Sequence, residues 1–119
     1  MITIVPADEA AREKLGLTDP ELRAMIIDDN GEIGGHILFT IREIEMELIS
    51  TDVTDPLMQE GLIRAALNYG YRRAVEVAFG SAPEMRQVFI TLRFCEEVGR
   101  FVVSVPEFFQ RGCRCAGKN

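Results

Sequence analysis

The sequence predicts a single-domain α/β fold of the α+β type, with a mixed, mostly antiparallel sheet flanked by helices. Three observations predict it. The pair Asn30-Gly31 separates two apolar stretches, which is a hairpin signal. A helical pattern ending near Arg73 lies between two strand-like runs, as in a strand–helix–strand crossover. Alternating apolar and acidic residues in "REIEMELISTDV" mark a strand with one wet face.

In chain order, Ile2 to Val5 is a short β-prone stretch. "ADEAAREKL" then reads as a helix stopped by Gly16. "LTDPEL" is a turn. Met25 to Ile27 form the first arm of the hairpin. Ile37 to Ile41, nearly all apolar, form a strand expected to be buried on both faces. In the next strand Ile44, Met46 and Leu48 point one way, and Glu43, Glu45 and Glu47 the other. The long helix carries Leu62, Ala66 and Tyr69 on one stripe. "VEVAF" is a strand ended by Gly80.

In "SAPEMRQVFITL", Ser81 and Glu84 have capping-box spacing, with Pro83 in the first turn. Met85, Val88, Phe89 and Leu92 then recur at helical spacing. "RFCEE" and "GRFVVSV" are the last strands, around a turn at Val98-Gly99. "PEFF" restarts a helical turn, and "QRGCRCAGKN" is a polar tail. The expected organisation is a domain over residues 1–105 and a cysteine-bearing turn and tail over 106–119.

The 119 residues suffice for a core without disulfides. A net charge of −6 gives no support to nucleic-acid binding. No apolar run is long enough to span a bilayer, and no signal peptide is visible. Cys95, Cys113 and Cys115 are odd in number and suit free thiols rather than a disulfide framework. The expectation is a cytoplasmic protein without nucleic-acid or membrane partners.

The stretch "DDNGEIGGHILFTI…EMELISTDV" followed by the helix, and the later "VFITLRF", resembles the GNAT superfamily of acyl-CoA-dependent N-acetyltransferases. The resemblance covers about residues 2 to 105. It implies acetyl transfer from acetyl-CoA to an amine of a small molecule or peptide. It also implies a strand end at Ile49, Thr51 and Val53 that offers backbone groups to pantetheine. The pyrophosphate would rest on the loop and helix start, at Gln59, Glu60, Gly61, Leu62, Ile63 and Arg64. Met58 and Ile63 depart from the family's R/Q-x-x-G-x-G/A loop, where Gly61 matches. Phe89 stands where the family often has an acidic tyrosine. The region between the first two strands has room for one helix and an extra turn, where active members usually have two helices.

Each candidate has two readings. The loop is an anion cradle if the helix begins near Gln59. If Asp55 caps a helix that starts at Pro56, the N–H groups near Gly61 bond within the helix instead. Glu47, nearest the strand end, is the candidate general base; the three glutamates otherwise form a solvated face. His36, the single histidine, and Tyr69 read as structural residues. Cys113 and Cys115 lack the partners of a zinc site and read as tail thiols beside Arg111 and Arg114; no metal is expected. Three functions remain open. They are a GNAT N-acetyltransferase, a catalytically inactive GNAT-fold binding or protein-interaction module, and a redox or metal module using the tail thiols. A homodimer is expected, because a short N-terminal region leaves apolar sheet surface uncovered.

Overall fold

The structure, a computed structural model, describes residues 1–111. The strands are β1 (Ile2–Pro6), β2 (Arg23–Asp29), β3 (Glu32–Arg42), β4 (Glu45–Thr51), β5 (Val77–Gly80), β6 (Cys95–Glu97) and β7 (Arg100–Ser104). The helices are α1 (Glu9–Leu15), α2 (Pro56–Tyr71), α3 (Arg86–Thr91) and α4 (Val105–Arg111). One seven-stranded sheet has the order β1-β2-β3-β4-β5-β7-β6. Only the β4–β5 pair is parallel, because α2 carries the chain back between them.

Local chemistry sets the turns. Asn30 and Gly31 both have positive φ, as a type I′ hairpin requires. Val98 and Gly99 repeat this between β6 and β7. Asp8 caps α1 through Ala11 N–H, and Gly16 ends it in the left-handed region. A third tight turn, at Glu43-Ile44, separates β3 from β4. It removes Ile44 from the alternating strand and leaves it 48% exposed, while Met46 and Leu48 are buried as expected.

One face of the sheet carries the core. Met25, Phe39, Met46, Leu48 and Phe101 pack there with Leu62, Ile63 and Leu67 of α2, Val88 and Phe89 of α3, and Phe108 of α4. On the other face, Leu38, Thr40, Phe79 and Val102 are only partly buried. The expectation that β3 is buried on both faces is therefore corrected. Ile37 and Phe39 lie under the helices, while Leu38 and Thr40 face the more open side.

The capping box is also absent. Ala82 precedes Pro83, so it is steered to an extended conformation and has φ −66°, ψ 125°. Ser81 therefore cannot start the helix. A short 3₁₀ turn, Pro83–Met85, leads into α3 with no side-chain cap. The helical stripe of Met85, Val88, Phe89 and Leu92 is nonetheless fully in the core.

Candidate functional site

The expected site lies where β4 parts from β5. Their ladder ends at Leu48 opposite Gly80. Ile49 is then an extra residue against β3: Leu48 pairs with Phe39, and Ser50 with Leu38. This bulge turns the end of β4 away from β5. Gly80 must be glycine for steric reasons, since a Cβ there would lie 2.9 Å from both Leu48 O and Phe89 Cζ.

Beyond the bulge, the backbone is held from several sides. Thr51 Oγ1 donates to His36 O at 2.7 Å and accepts from Val53 N–H at 3.2 Å. Asp52 Oδ1 accepts from His36 N–H at 2.9 Å and lies 3.3 Å from His36 Nδ1, which has no aligned hydrogen-bond partner. A Cβ on Gly35 would run into the Val53 side chain, so β3 and the strand end are in close contact.

The helix α2 starts at Pro56, with Asp55 as its cap. Asp55 Oδ1 accepts from Leu57 N–H at 3.2 Å, and Asp55 O accepts from Gln59 N–H at 2.9 Å. Pro56 has no N–H. Met58 is left with the one first-turn N–H that Asp55 does not engage. Gly61, Leu62, Ile63 and Arg64 lie past the first turn, where N–H groups bond to carbonyls four residues earlier. A pyrophosphate at this helix start would also meet the Asp55 carboxylate. The first turn does not fit that group.

The side chains of the expected cradle are likewise engaged. Gln59 is 4% exposed, and its Nε2 donates to Val53 O at 2.6 Å and to Glu84 O at 3.0 Å. It ties the end of β4 to the turn that follows β5, across the mouth of the wedge. Gly61 lies against β1, where a Cβ would be 3.0 Å from Ile4 Cδ1. Leu62 and Ile63 are core residues. Arg64 pairs with Glu60 at 3.0 Å and stacks over Phe108, 5.3 Å from the ring centroid.

Glu47 is exposed on the open face, across from Thr40 and Phe79. With those residues, Arg42 and Glu45 it lines a shallow hollow of about 200 Å³. Phe89 is fully buried, stacked on Phe94 with centroids 4.9 Å apart. Among the described residues, no cluster of His, Cys, Asp or Glu is arranged to hold a metal ion. Cys113, Cys115, Arg111 as a side chain and Arg114 lie outside the described residues.

Neither a protein-family model nor a curated protein matches the sequence. Solved structures do match. The ribosomal-protein-S18-alanine N-acetyltransferase from Escherichia coli superposes with a TM-score of 0.63 at 13% identity, over 100% of this chain and 98% of that one. A mutant of the AtaT toxin, bound to the C-terminus of the antitoxin AtaR, gives 0.65 at 16% identity, over 94% and 99%. The putative N-acetyltransferase YhhK from Escherichia coli, solved with coenzyme A, gives 0.59 at 16% identity, over 86% and 97%. The chain has the GNAT fold. Within that fold the Ile49 bulge and the diverging strands are present, and the wedge between them is bridged by Gln59. Sequence reasoning missed this bridge. Its signal was a glutamine on the same stripe as Leu62, Ile63 and Ala66, where an amide must find buried partners.

Proposed function

We propose that this chain is a GNAT-fold binding module that does not transfer acetyl groups from acetyl-CoA. The observation that carries this reading is the start of α2 at Pro56. Asp55 takes up the N–H groups of Leu57 and Gln59, and the Gln59 side chain closes the wedge beside them. An anion at this point meets one N–H group and one carboxylate. The buried phenylalanine at position 89 adds to it, since it carries no proton to give a departing thiolate.

The test is a titration of acetyl-CoA, and of free CoA, into the purified protein while the melting temperature is followed. A ligand that binds only the folded state raises it by mass action. The module reading expects no saturable rise up to millimolar cofactor. A saturable rise, or acetylation of any amine in a broad panel, overturns it.

One observation favours the second reading, an N-acetyltransferase acting on a small-molecule or peptide amine. The β4 bulge at Ile49 and the divergence after Leu48 and Gly80 leave Ile49, Thr51 and Val53 at a wedge mouth. In that reading Glu47 is the general base, and Gln59 must swing away to admit pantetheine. The AtaT complex supports a peptide as partner in either reading, since a neighbour with this fold is solved with an antitoxin C-terminus.

We further propose a homodimer formed through the more open sheet face. Leu38, Ile49, Phe79 and Val102 are partly buried there without a covering helix. A cytoplasmic location is proposed from the odd cysteine count.

A further inference from the structure

Three arginines of this acidic chain gather at one corner. Arg12, Arg23 and Arg73 converge where the end of β1, the start of β2 and the last turns of α2 meet. None of the three pairs with a carboxylate among the described residues. Arg12 donates to Leu22 O at 2.5 Å and to Asp19 O at 2.8 Å, which folds the segment after α1 around its guanidinium. Arg73 donates to Tyr69 O at 3.1 Å and stacks on the Tyr69 ring at 3.5 Å.

Arg23 is the least satisfied. Its Nη1 donates to Tyr69 Oη at 2.7 Å, while its Nε is shielded from water and has no hydrogen-bond partner. A guanidinium stays charged at any ordinary pH. A partly sunken cation without a counter-ion favours any anion that can reach it.

A cavity of about 290 Å³ opens beside this group. Pro6, Ala7, Pro20 and Ala24 form apolar walls, and Arg12, Arg23 and Tyr69 supply the polar side. No acidic side chain lines it. Tyr69 Oη accepts from Arg23, so its own proton is available to a ligand. The polar side chains therefore offer donors and positive charge. A second hollow, of about 680 Å³, shares Pro20 and Arg23 and continues past Ile41 and Arg42. Glu21, paired with Arg42 at 3.6 Å, and Glu43 also line it, so this part suits the uncharged portion of a ligand and not its oxyanion.

We propose that this corner binds the oxyanion of a small, partly apolar molecule, a carboxylate or a phosphate. The oxyanion rests between Arg23 and the Tyr69 hydroxyl, and the rest of the molecule runs over Pro20 toward Ile41. Charged acceptors make the stronger hydrogen bonds to such donors. The site lies near the opposite end of α2 from Pro56, roughly 20 Å along the helix. It stands apart from the acetyl-CoA question, and its probes contain no CoA.

The experiment uses the isotope-labelled full chain with sodium phosphate, sodium benzoate, and sodium chloride at matched ionic strength. Saturable amide shifts at Ala7, Arg23, Ala24 and Tyr69 with either probe, absent with chloride, are expected. Response to phosphate alone assigns a phosphate-bearing ligand, and response to benzoate alone a carboxylate. Arg23→Gln is expected to abolish the saturable shifts, and Tyr69→Phe to weaken binding by about tenfold. Arg86→Gln, on α3 and away from this corner, leaves binding unchanged. The proposal falls if neither probe exceeds chloride, if the shifts map to the start of α2, or if Arg23→Gln binds as tightly as the parent. Should Arg23→Gln not fold, the shift map of the unmodified chain decides.

Discussion

Gln59 shows how one side chain redirects a site. Its amide is buried among apolar neighbours and donates to two carbonyls, Val53 O and Glu84 O. Replacement by alanine leaves both acceptors facing a void. Gln59→Ala is therefore expected to destabilise the fold by about 2–3 kcal/mol, lowering the melting temperature by roughly 10 °C. A loss under 1 kcal/mol in urea unfolding would show that the bridge is not a structural tie. Gly80 is the complementary case, where nothing can be added. Gly80→Ala sets a methyl group against the Leu48 carbonyl and the Phe89 ring, and about 1–3 kcal/mol should be lost. Unchanged stability there would mean that β4 and β5 yield easily at the wedge.

At the scale of elements, the two helix starts that looked best in the sequence behave differently. Asp55 with Pro56 works as a cap and first-turn pair, so Asp55→Ala should cost about 1 kcal/mol. Hydrogen exchange at Leu57 and Gln59 should quicken with it, and unaltered protection would argue that α2 does not depend on this cap. Ser81 with Glu84 has the spacing of a box but not the geometry. Ala82 is forced extended by Pro83, and no side chain caps the turn. Ser81→Ala is consequently expected to change stability by less than about 0.5 kcal/mol. A loss near 1 kcal/mol in the same assay would restore Ser81 as a cap.

At the scale of the whole molecule, the sheet has two unequal faces. Helices α2, α3 and α4 share one, and Leu38, Phe79 and Val102 are only partly buried on the other. Light scattering is expected to give twice the 13.3 kDa chain mass. A charged residue in the middle of that face, as in Val102→Glu, should return the protein to a monomer while the helix-covered core stays folded. A monomer before any substitution would remove the dimer. Among the described residues, no helix is long and apolar enough to cross a membrane.

Much of this was legible in the chain itself. Local signals act over a few residues, so Asn30-Gly31, Gly16, Val98-Gly99 and the stripe from Met85 to Leu92 read correctly without any partner in view. The order of strands and helices followed from those signals and from periodicity, and the GNAT fold from the resemblance of the hairpin, strand and helix to that family. The candidate cradle was legible only as a choice between two helix starts. Three things depended on contacts between distant segments. Gln59 finds Glu84 across the wedge, Gly61 sits against Ile4, and Arg23 meets Tyr69 from 46 positions away. No pattern within a short window encodes such meetings. The sequence determined which segments become strands, helices and turns, because propensity, caps and turn residues are local. Only the tertiary structure decided that the wedge is bridged and that unpaired arginines gather at the far end of α2, because burial and charge pairing depend on what folding brings together.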